Sequence, residues 1–329
     1  MNIITADKKQ SRRTFLYLWI LIALLALLVC ATYTWFSLST RPRVSSMEMY
    51  ISSGAGLELA KTYDAPDSEW GQEIDGGSII GENVSLKPAT WSESKQKLIA
   101  VNYGTDGRIT DVSSELEDTA DANRPDGYYA LGTFYARTDQ SCKVSLAEAV
   151  AVNGGENASG TYVIGTPVWN IETILHDDGG SGAESAVRFG FKLTQINPAT
   201  GEDISDSVMF IYEPNSDKHT GGETGYIPTP SIDGTDTLSP RLITQSASLW
   251  TDTYPVQREV ILHTPGKFDS TPMLFSVKAG EIYKIQLYIW LEGQDADCTN
   301  DIRDAMILAN IGFKTDYSGQ TGLEEIPQN

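Results

Sequence analysis

Residues 283–291 read Tyr-Lys-Ile-Gln-Leu-Tyr-Ile-Trp-Leu, and this stretch carries the clearest secondary-structure signal of the chain. Large apolar side chains occupy every odd position, and the even positions between them are mixed in character. A period of two is the repeat of a β-strand, whose successive side chains point to opposite faces of a sheet. The stretch therefore predicts a strand with one face on a core. On the mixed face, Tyr288 and Trp290 are expected to cover a second core layer, with a contact surface as the alternative.

The same alternation recurs on both sides of this strand. Val187–Leu193 and Ile307–Phe313 show it most clearly, and shorter candidates are 47–52, 98–103, 128–136, 143–150, 208–212, 259–263 and 273–277. Clusters of Gly, Asp and Asn separate these stretches, and the chain shows no long amphipathic helix. About ten strands in this arrangement predict an all-β fold, an antiparallel β-sandwich of the jelly-roll kind.

A single extracellular domain over residues 37–320 is the simplest organisation that fits the strand pattern. Residues 213–242 are rich in Pro, Gly, Thr and Ser, and strands of similar character stand on both sides of them. This composition predicts a long surface loop rather than a linker between two domains. Residues 321–329 are expected to form a tail.

The amino-terminal segment predicts where the protein works. Residues 15–36 contain no charged side chain and reach the roughly 20 residues that a helix needs to cross a bilayer. Lys8, Lys9, Arg12 and Arg13 precede this segment, so residues 1–14 are expected to stay in the cytoplasm. The rest of the chain is then extracytoplasmic, held at the cell membrane through the amino-terminal helix or secreted to the cell surface or matrix.

The same segment fits either a retained anchor or a cleaved signal peptide. Its apolar core, which begins at Phe15, is longer than the usual 7–15 residues of a signal peptide, which favours an anchor. Cleavage by a signal peptidase after Ala31 or after Thr34 is the alternative. Arg12 and Arg13 also fit twin-arginine export, although the strongly apolar core fits general secretion better.

The charge balance excludes two classes of partner. The chain has 24 basic and 44 acidic residues, a net charge of −20. Residues 1–36 hold four basic residues and one acidic residue, so the exported part carries about −23. So acidic a surface argues against nucleic acid as a partner and against electrostatic attraction to anionic lipid.

Two cysteines, Cys142 and Cys298, lie in the exported part, where disulfides persist. A bridge between them would join the early and late parts of the domain. Two buried thiols are the alternative that the sequence leaves open.

The densest group of carboxylates follows the strand 283–291. Glu292, Asp295, Asp297 and Asp301 lie within one predicted turn, and hard oxygen ligands of this kind bind calcium. Their spacing is not that of an EF-hand loop. The sequence therefore leaves two interpretations open, a calcium site and a solvated acidic turn.

Catalytic patterns are absent from the sequence. The three histidines, His176, His219 and His263, have neither the spacing of a zinc protease nor that of another metal site. The nucleophile elbow of hydrolases and the phosphate-binding glycine loops are missing as well. The sequence therefore predicts a protein that is not an enzyme and needs no cofactor other than the calcium considered above.

Four stretches carry a resemblance to a known family. They are Ala31–Phe36 at the end of the apolar segment, with Trp35 and Phe36 as its aromatic close, and then Met47–Ile51, Val84–Pro88 and Ile289–Asp301. Together they resemble the TasA and camelysin-like exported proteins of Gram-positive bacteria. The resemblance implies a jelly-roll-like sandwich, a leader cut by a dedicated signal peptidase of the SipW type, and in some members fibres built by donor-strand exchange. Camelysin-like members have been classed as metalloproteases, but this chain has no recognisable metal motif for that activity.

The sequence favours a structural or adhesive protein of the cell surface or biofilm matrix. In a fibre, the first exported strand, residues 45–53, is expected to add to the open sheet edge of a neighbouring copy. Deletion of residues 37–53 is expected to abolish polymers and to leave a folded monomer. The alternatives are a membrane-tethered binding module for wall sugar or calcium and, third, a secreted hydrolase.

Overall fold

The chain divides into two units, Met1–Arg41 and Pro42–Asn329. The computed structural model describes residues 17–29, 44–81, 84–92, 97–100, 102–103, 109–111, 119–120, 126–152, 156–166, 183–214, 261–262, 273–293, 295, 298, 302 and 305–317. In the first unit, residues 17–29 form helix α1, inside the predicted span 15–36. Among the helices of the described residues, none is both long and apolar enough to cross a membrane.

The second unit is mostly β-structure and is built around two sheets, as a sandwich-like fold requires. The first sheet has eight strands: β1 (Val44–Ser53), β3 (Glu73–Asp75), β4 (Ser85–Leu86), β10 (Asp126–Gly127), β12 (Cys142–Leu146), β15 (Tyr162–Thr166), β19 (Met273–Val277) and β21 (Ala305–Asp316). The second sheet has nine: β2 (Leu57–Ala60), β5 (Pro88–Ser92), β6 (Lys97–Ala100), β9 (Thr119–Ala120), β11 (Tyr129–Thr138), β16 (Val187–Ile196), β17 (Val208–Tyr212), β18 (Ile261–Leu262) and β20 (Ile282–Glu292).

Smaller elements complete the described part of this unit. Two short hairpins pair β7 (Asn102–Tyr103) with β8 (Ile109–Asp111) and β13 (Val150–Val152) with β14 (Glu156–Ser159). The helices are α2 (Gly77–Ile80), α3 (Ala183–Ala186) and a 3-10 turn at Asp67–Glu69. Residues 215–242 of the predicted loop and the predicted tail 321–329 lie outside the described residues.

The strand predicted at 283–291 is confirmed, and it is central to the second sheet. It is β20, which pairs antiparallel with β11 on one side and with β16 on the other. Ile285, Leu287 and Ile289 on its inner face are completely buried. The alternation of the sequence therefore marks the face that packs on the core.

The two sheets meet through aromatic side chains. The ring of Phe313, on β21 of the first sheet, lies 6.0 Å from the ring of Phe191 and 6.2 Å from that of Phe134, both on the second sheet. Centroid distances of this size are typical of stabilising aromatic pairs. Phe313 therefore connects the inner faces of the two sheets.

A second apolar layer covers the outer face of the second sheet, as predicted for Trp290. Trp290 is completely buried and packs in one cluster with Trp91 and Leu98 of the β5–β6 hairpin. Tyr288 is half-buried, and its ring stacks on Tyr129 at 5.9 Å. The mixed face of the strand is therefore buried at Trp290 and half-buried at Lys284, Gln286 and Tyr288.

The sheets are mixed rather than purely antiparallel, and this corrects the predicted fold. The longest parallel pairing joins the first strand, β1, to the last strand, β21, over nine residue pairs from Val44 with Ala305 to Ser53 with Phe313. Alternation of side chains predicts that a strand exists but carries no information on which strand it pairs with. The sequence therefore does not predict that β1 pairs in parallel with β21.

Candidate functional site

Strand β1 lies inside the first sheet, and its pairing is the most distinctive feature of the domain. On one side it runs parallel to β21, and on the other side it pairs antiparallel with β3, from Tyr50 with Asp75 to Ser52 with Glu73. Its first residue, Val44, also pairs with Leu86 of β4. The segment that the sequence assigns to strand donation is therefore an interior strand with partners on both edges.

Two side chains of β1 belong to the core. Met49 is 2% exposed and Ile51 is 1% exposed, whereas Tyr50 between them is 55% exposed. Complete burial of such an apolar side chain stabilises a fold by about 1.5–3 kcal/mol. Strand β1 therefore contributes apolar anchors as well as backbone hydrogen bonds.

Gly76 allows β1 to approach its neighbour closely. Its N–H donates a hydrogen bond to the Met49 carbonyl oxygen at 2.9 Å. A Cβ atom at Gly76 would lie 2.6 Å from that oxygen and 2.7 Å from the Met49 side chain. Such contacts are too short for real atoms, so a side chain at this position would displace β1.

The turn after β1 is held by the end of β21. Residues 54–56 connect β1 to β2 in the other sheet, and Gly56 has a φ of 86°, which favours glycine. The Ala55 carbonyl oxygen accepts hydrogen bonds from Thr315 Oγ1 at 3.0 Å and from Tyr317 Oη at 2.7 Å. Residues 54–56 are therefore the covalent connection between β1 and β2, and we call them the hinge.

The predicted calcium turn has protein partners where the structure describes it. Glu292 is buried, and its Oε2 accepts a hydrogen bond from the Trp290 indole N–H at 3.1 Å. Asp295 is completely buried and forms an ion pair with Arg188. Asp297 and Asp301 lie outside the described residues. Among the residues described, the structure shows no cluster of three or more possible metal ligands.

Arg188 is the centre of a buried ionic cluster that the sequence did not predict. Its Nη2 lies 2.5 Å from Asp295 Oδ2 and 3.0 Å from Glu213 Oε1, and all three side chains are buried. Its Nη1 donates to the Ser185 carbonyl oxygen at 2.7 Å. Buried charges are tolerated when paired and hydrogen-bonded in this way. The cluster joins β16 to the end of β17 and to the turn after β20.

Of the two alternatives that the sequence left open for Cys142 and Cys298, the structure does not have the disulfide. Cys142 and Cys298 are both buried thiols of the main core cluster. Burial raises the pKa of the Cys142 thiol, and a hydrogen bond with Thr138 opposes that rise. The alternative of two buried thiols is therefore what the structure has.

A polar cleft of about 410 Å³ lies beside Arg137 and Thr138, at the carboxyl end of β11. Glu58, Asp67, Asp139 and Glu281 contribute carboxylates to its lining, around the guanidinium of Arg137. Arg137 Nε donates to Glu58 at 2.8 Å and Nη1 donates to Asp67 at 2.9 Å. Burial lowers the pKa of Arg137, but these hydrogen bonds outweigh it and the pKa is raised. The acidic lining leaves this cleft suited to a cationic group.

The residues predicted to direct export lie outside the described part of the chain. They are Arg12, Arg13, Phe15, Ala31, Thr34, Trp35 and Phe36. Anchoring and processing at these positions stay predictions.

Comparisons of the chain with family models, with curated proteins and with solved structures found no match. The resemblance to the TasA and camelysin-like proteins stays a prediction from the sequence.

Proposed function

We propose that this protein is an exported structural protein of the cell surface or matrix, and that it assembles into fibres by donating β1 to a neighbouring copy. The observation that carries this proposal is the parallel pairing of the first strand with the last one. Strand β1 comes first in the unit that begins at Pro42, and only the turn 54–56 joins it onward to β2.

Exchange of β1 between copies would conserve its native contacts. A second copy of Met49 and Ile51 fills the same core sites, and the same backbone groups pair with β21 and β3, because donor and acceptor have one sequence. Strand addition of this kind supplies affinity through main-chain hydrogen bonds and specificity through pockets for alternate side chains. Exchange of an identical element is also a low-cost route to assembly. Copies that donate β1 in one direction form an open, fibre-like chain.

The export segment and the acidic charge support the same proposal. A basic and then apolar amino terminus directs the domain out of the cytoplasm, and we propose that cleavage after Ala31 or Thr34 releases β1 for donation. A net charge of about −23 on the exported part keeps the copies apart until specific strand pairing joins them. The resemblance to the TasA and camelysin-like proteins points to the same mode of assembly.

The structure changes the expected result of deleting β1. Residues 37–53 were expected to be dispensable for folding, but their removal would open the first sheet and expose the sites of Met49 and Ile51. We therefore expect residues 54–329 alone to be strongly destabilised. A synthetic peptide of residues 44–53 should bind the truncated chain and raise its melting temperature.

Two measurements test the proposal. Negative-stain electron microscopy of residues 37–329 over a concentration series should show fibres, and residues 54–329 should form none. A matched peptide with Met49→Asp and Ile51→Asp should not rescue the truncated chain, because its charged side chains cannot occupy the core. Discrete monomers of residues 37–329 at every concentration, or fibres of residues 54–329, would contradict strand donation.

A further inference from the structure

Three polar side chains form a row across the outer face of the second sheet. Gln286 of β20 is the register partner of Thr133 on β11 and of Lys192 on β16. We call these three side chains the polar row. All three are half-buried, so solvent reaches them. Within the residues that the structure describes, none of the three side chains takes part in a hydrogen bond or an ion pair. The row therefore offers a hydroxyl, an amide and an ammonium group to a ligand.

Aromatic side chains flank the polar row on both sides. On one side, the ring of Tyr288 stacks on Tyr129 and meets Trp91 edge-on, each at 5.9 Å. On the other side, the ring of Tyr135 meets that of Tyr63 edge-on at 6.0 Å. Tyr288 and Tyr135 stand two residues from the polar row in opposite directions, and a strand rises about 3.4 Å per residue, so their rows lie about 14 Å apart. The polar row is therefore the floor of a trough with aromatic walls.

The charges around the trough favour a neutral ligand. Lys192 is the one charged member of the polar row. Lys284, in the next row of β20, is neutralised by Asp203, whose Oδ1 lies 2.5 Å from its Nζ. The exported part of the chain carries about −23, so it repels an acidic polymer at long range. One ammonium group beside an amide and a hydroxyl therefore suits an uncharged ligand that has many hydrogen-bonding groups.

We propose that this trough binds a neutral oligosaccharide, whose hydroxyl groups form hydrogen bonds with the polar row and whose ring carbons pack on Tyr288 or Tyr135. A sugar ring has C–H groups on its two faces and hydroxyl groups around its rim. It is therefore held best where aromatic walls and several hydrogen-bonding groups occur together. Small-molecule sites are typically lined by aromatic and apolar side chains with a few placed polar groups. The trough has both parts of that arrangement.

This site goes beyond strand donation and does not depend on it. The polar row lies on the second sheet, whereas β1 and its partners β21 and β3 belong to the first sheet. Sugar binding should therefore be the same in a single domain and in a fibre. Its consequence is attachment of the domain to neutral glycans of the cell surface or matrix.

Isothermal titration calorimetry on the full chain, in a detergent without a sugar head group, tests the site. The neutral probes are cellotetraose, chitotetraose and maltotetraose, and tetragalacturonate is the acidic comparison. We expect at least one neutral probe to bind with a Kd below about 1 mM. Tetragalacturonate should bind at least about tenfold more weakly, because the acidic chain repels it. Failure of all three neutral probes to bind in this range, or tighter binding of tetragalacturonate, would overturn the proposal.

Substitutions in the polar row locate the bound sugar. Thr133→Val, Gln286→Ala and Lys192→Met each remove one hydrogen-bonding group, and each should raise the Kd about three- to tenfold. Gln195→Ala is the matched control, since Gln195 is also half-buried but occupies the opposite face of β16, and it should leave the Kd unchanged.

Thermal melts without sugar show which variants are folded. Thr133→Val keeps the shape of the side chain, so it tests the site even if another variant is destabilised. A wild-type Kd in the folded variants of the polar row would place the sugar elsewhere and overturn the proposal. Fibres are scored separately by electron microscopy, so the failure of sugar binding and the failure of strand donation are distinguishable.

Discussion

Ile51 and Ile311 are register partners in a parallel pairing of the first and last strands, and both side chains are buried. The two strands are neighbours in the middle of the first sheet, although they come from opposite ends of the domain's sequence. Parallel neighbours cannot be joined by a tight turn, so the rest of the domain separates them along the chain. This relationship makes β1 part of the core of the domain.

Replacement of Ile51 by Ala should lower the free energy of unfolding by about 2–5 kcal/mol, because it removes buried apolar atoms and leaves a cavity between the sheets. Ser52→Ala is the control, since Ser52 is the next residue on the outer face of the same strand and should change stability by less than about 0.5 kcal/mol. Urea unfolding followed by tryptophan fluorescence measures both. Equal stability of the two variants would mean that β1 is not seated in the core.

Gly76→Ala should destabilise the domain by about 1–3 kcal/mol, because the new methyl group meets the backbone and side chain of Met49. Gly71→Ala provides the comparison, since a Cβ atom there meets no other atom within 4 Å. Both substitutions add one methyl group, and they differ in whether the surrounding atoms leave room for it. A thermal melt in which both variants match the wild type would show that β1 does not approach Gly76 closely.

Tyr317→Phe removes one of the two hydrogen bonds that hold the Ala55 carbonyl oxygen in the hinge. We expect a loss of about 0.5–1.5 kcal/mol in stability and faster fibre growth, because β1 is released more readily. Tyr63→Phe serves as the control, because Tyr63 packs against Tyr135 and takes no part in the hinge. Fibre growth is followed by light scattering. A slower rate for Tyr317→Phe would mean that the hinge must stay closed for assembly.

Arg188→Met should cost about 3–5 kcal/mol of stability, because it leaves the carboxylates of Glu213 and Asp295 buried without their cation. Lys192→Met is the matched control, since Lys192 lies on the same face of β16, is half-buried and is expected to change stability little. Chemical unfolding of both variants gives the two free energies of unfolding to be compared. An unfolding free energy unchanged by Arg188→Met would show that the cluster is hydrated.

Stability should fall at alkaline pH through Tyr283. Burial, with a smaller contribution from Glu281, raises the pKa of Tyr283 to about 12. Its unfolded value is about 10, so the folded state holds a proton that the unfolded state releases as the pH rises between these values. The stability present below about pH 10 is therefore lost toward about pH 12, by up to roughly 2 kcal/mol. Tyr283→Phe should flatten this part of the profile in urea titrations, and an unchanged slope would assign the effect to other groups.

Local sequence determined the strands with the clearest alternation, such as β16, β20 and β21, whereas β3, β5 and β15 were not predicted. Alternation at 283–291 specified a strand and its buried face because a pleated strand repeats every two residues, whatever its partners. The burial of Trp290 on the outer face of β20 was expected because Tyr288 and Trp290 make that face partly apolar. The export segment stays a prediction, made from the length of its apolar run and from the basic residues before it.

Tertiary structure decided which strands pair and what the polar residues do. The acidic turn after β20 left a calcium site and a solvated turn open, whereas the structure buries Asp295 against Arg188. The parallel pairing of β1 with β21 depends on contacts between strands that lie far apart along the chain. Backbone hydrogen bonds are the same for every residue, so pairing between distant strands leaves no local signal in the sequence.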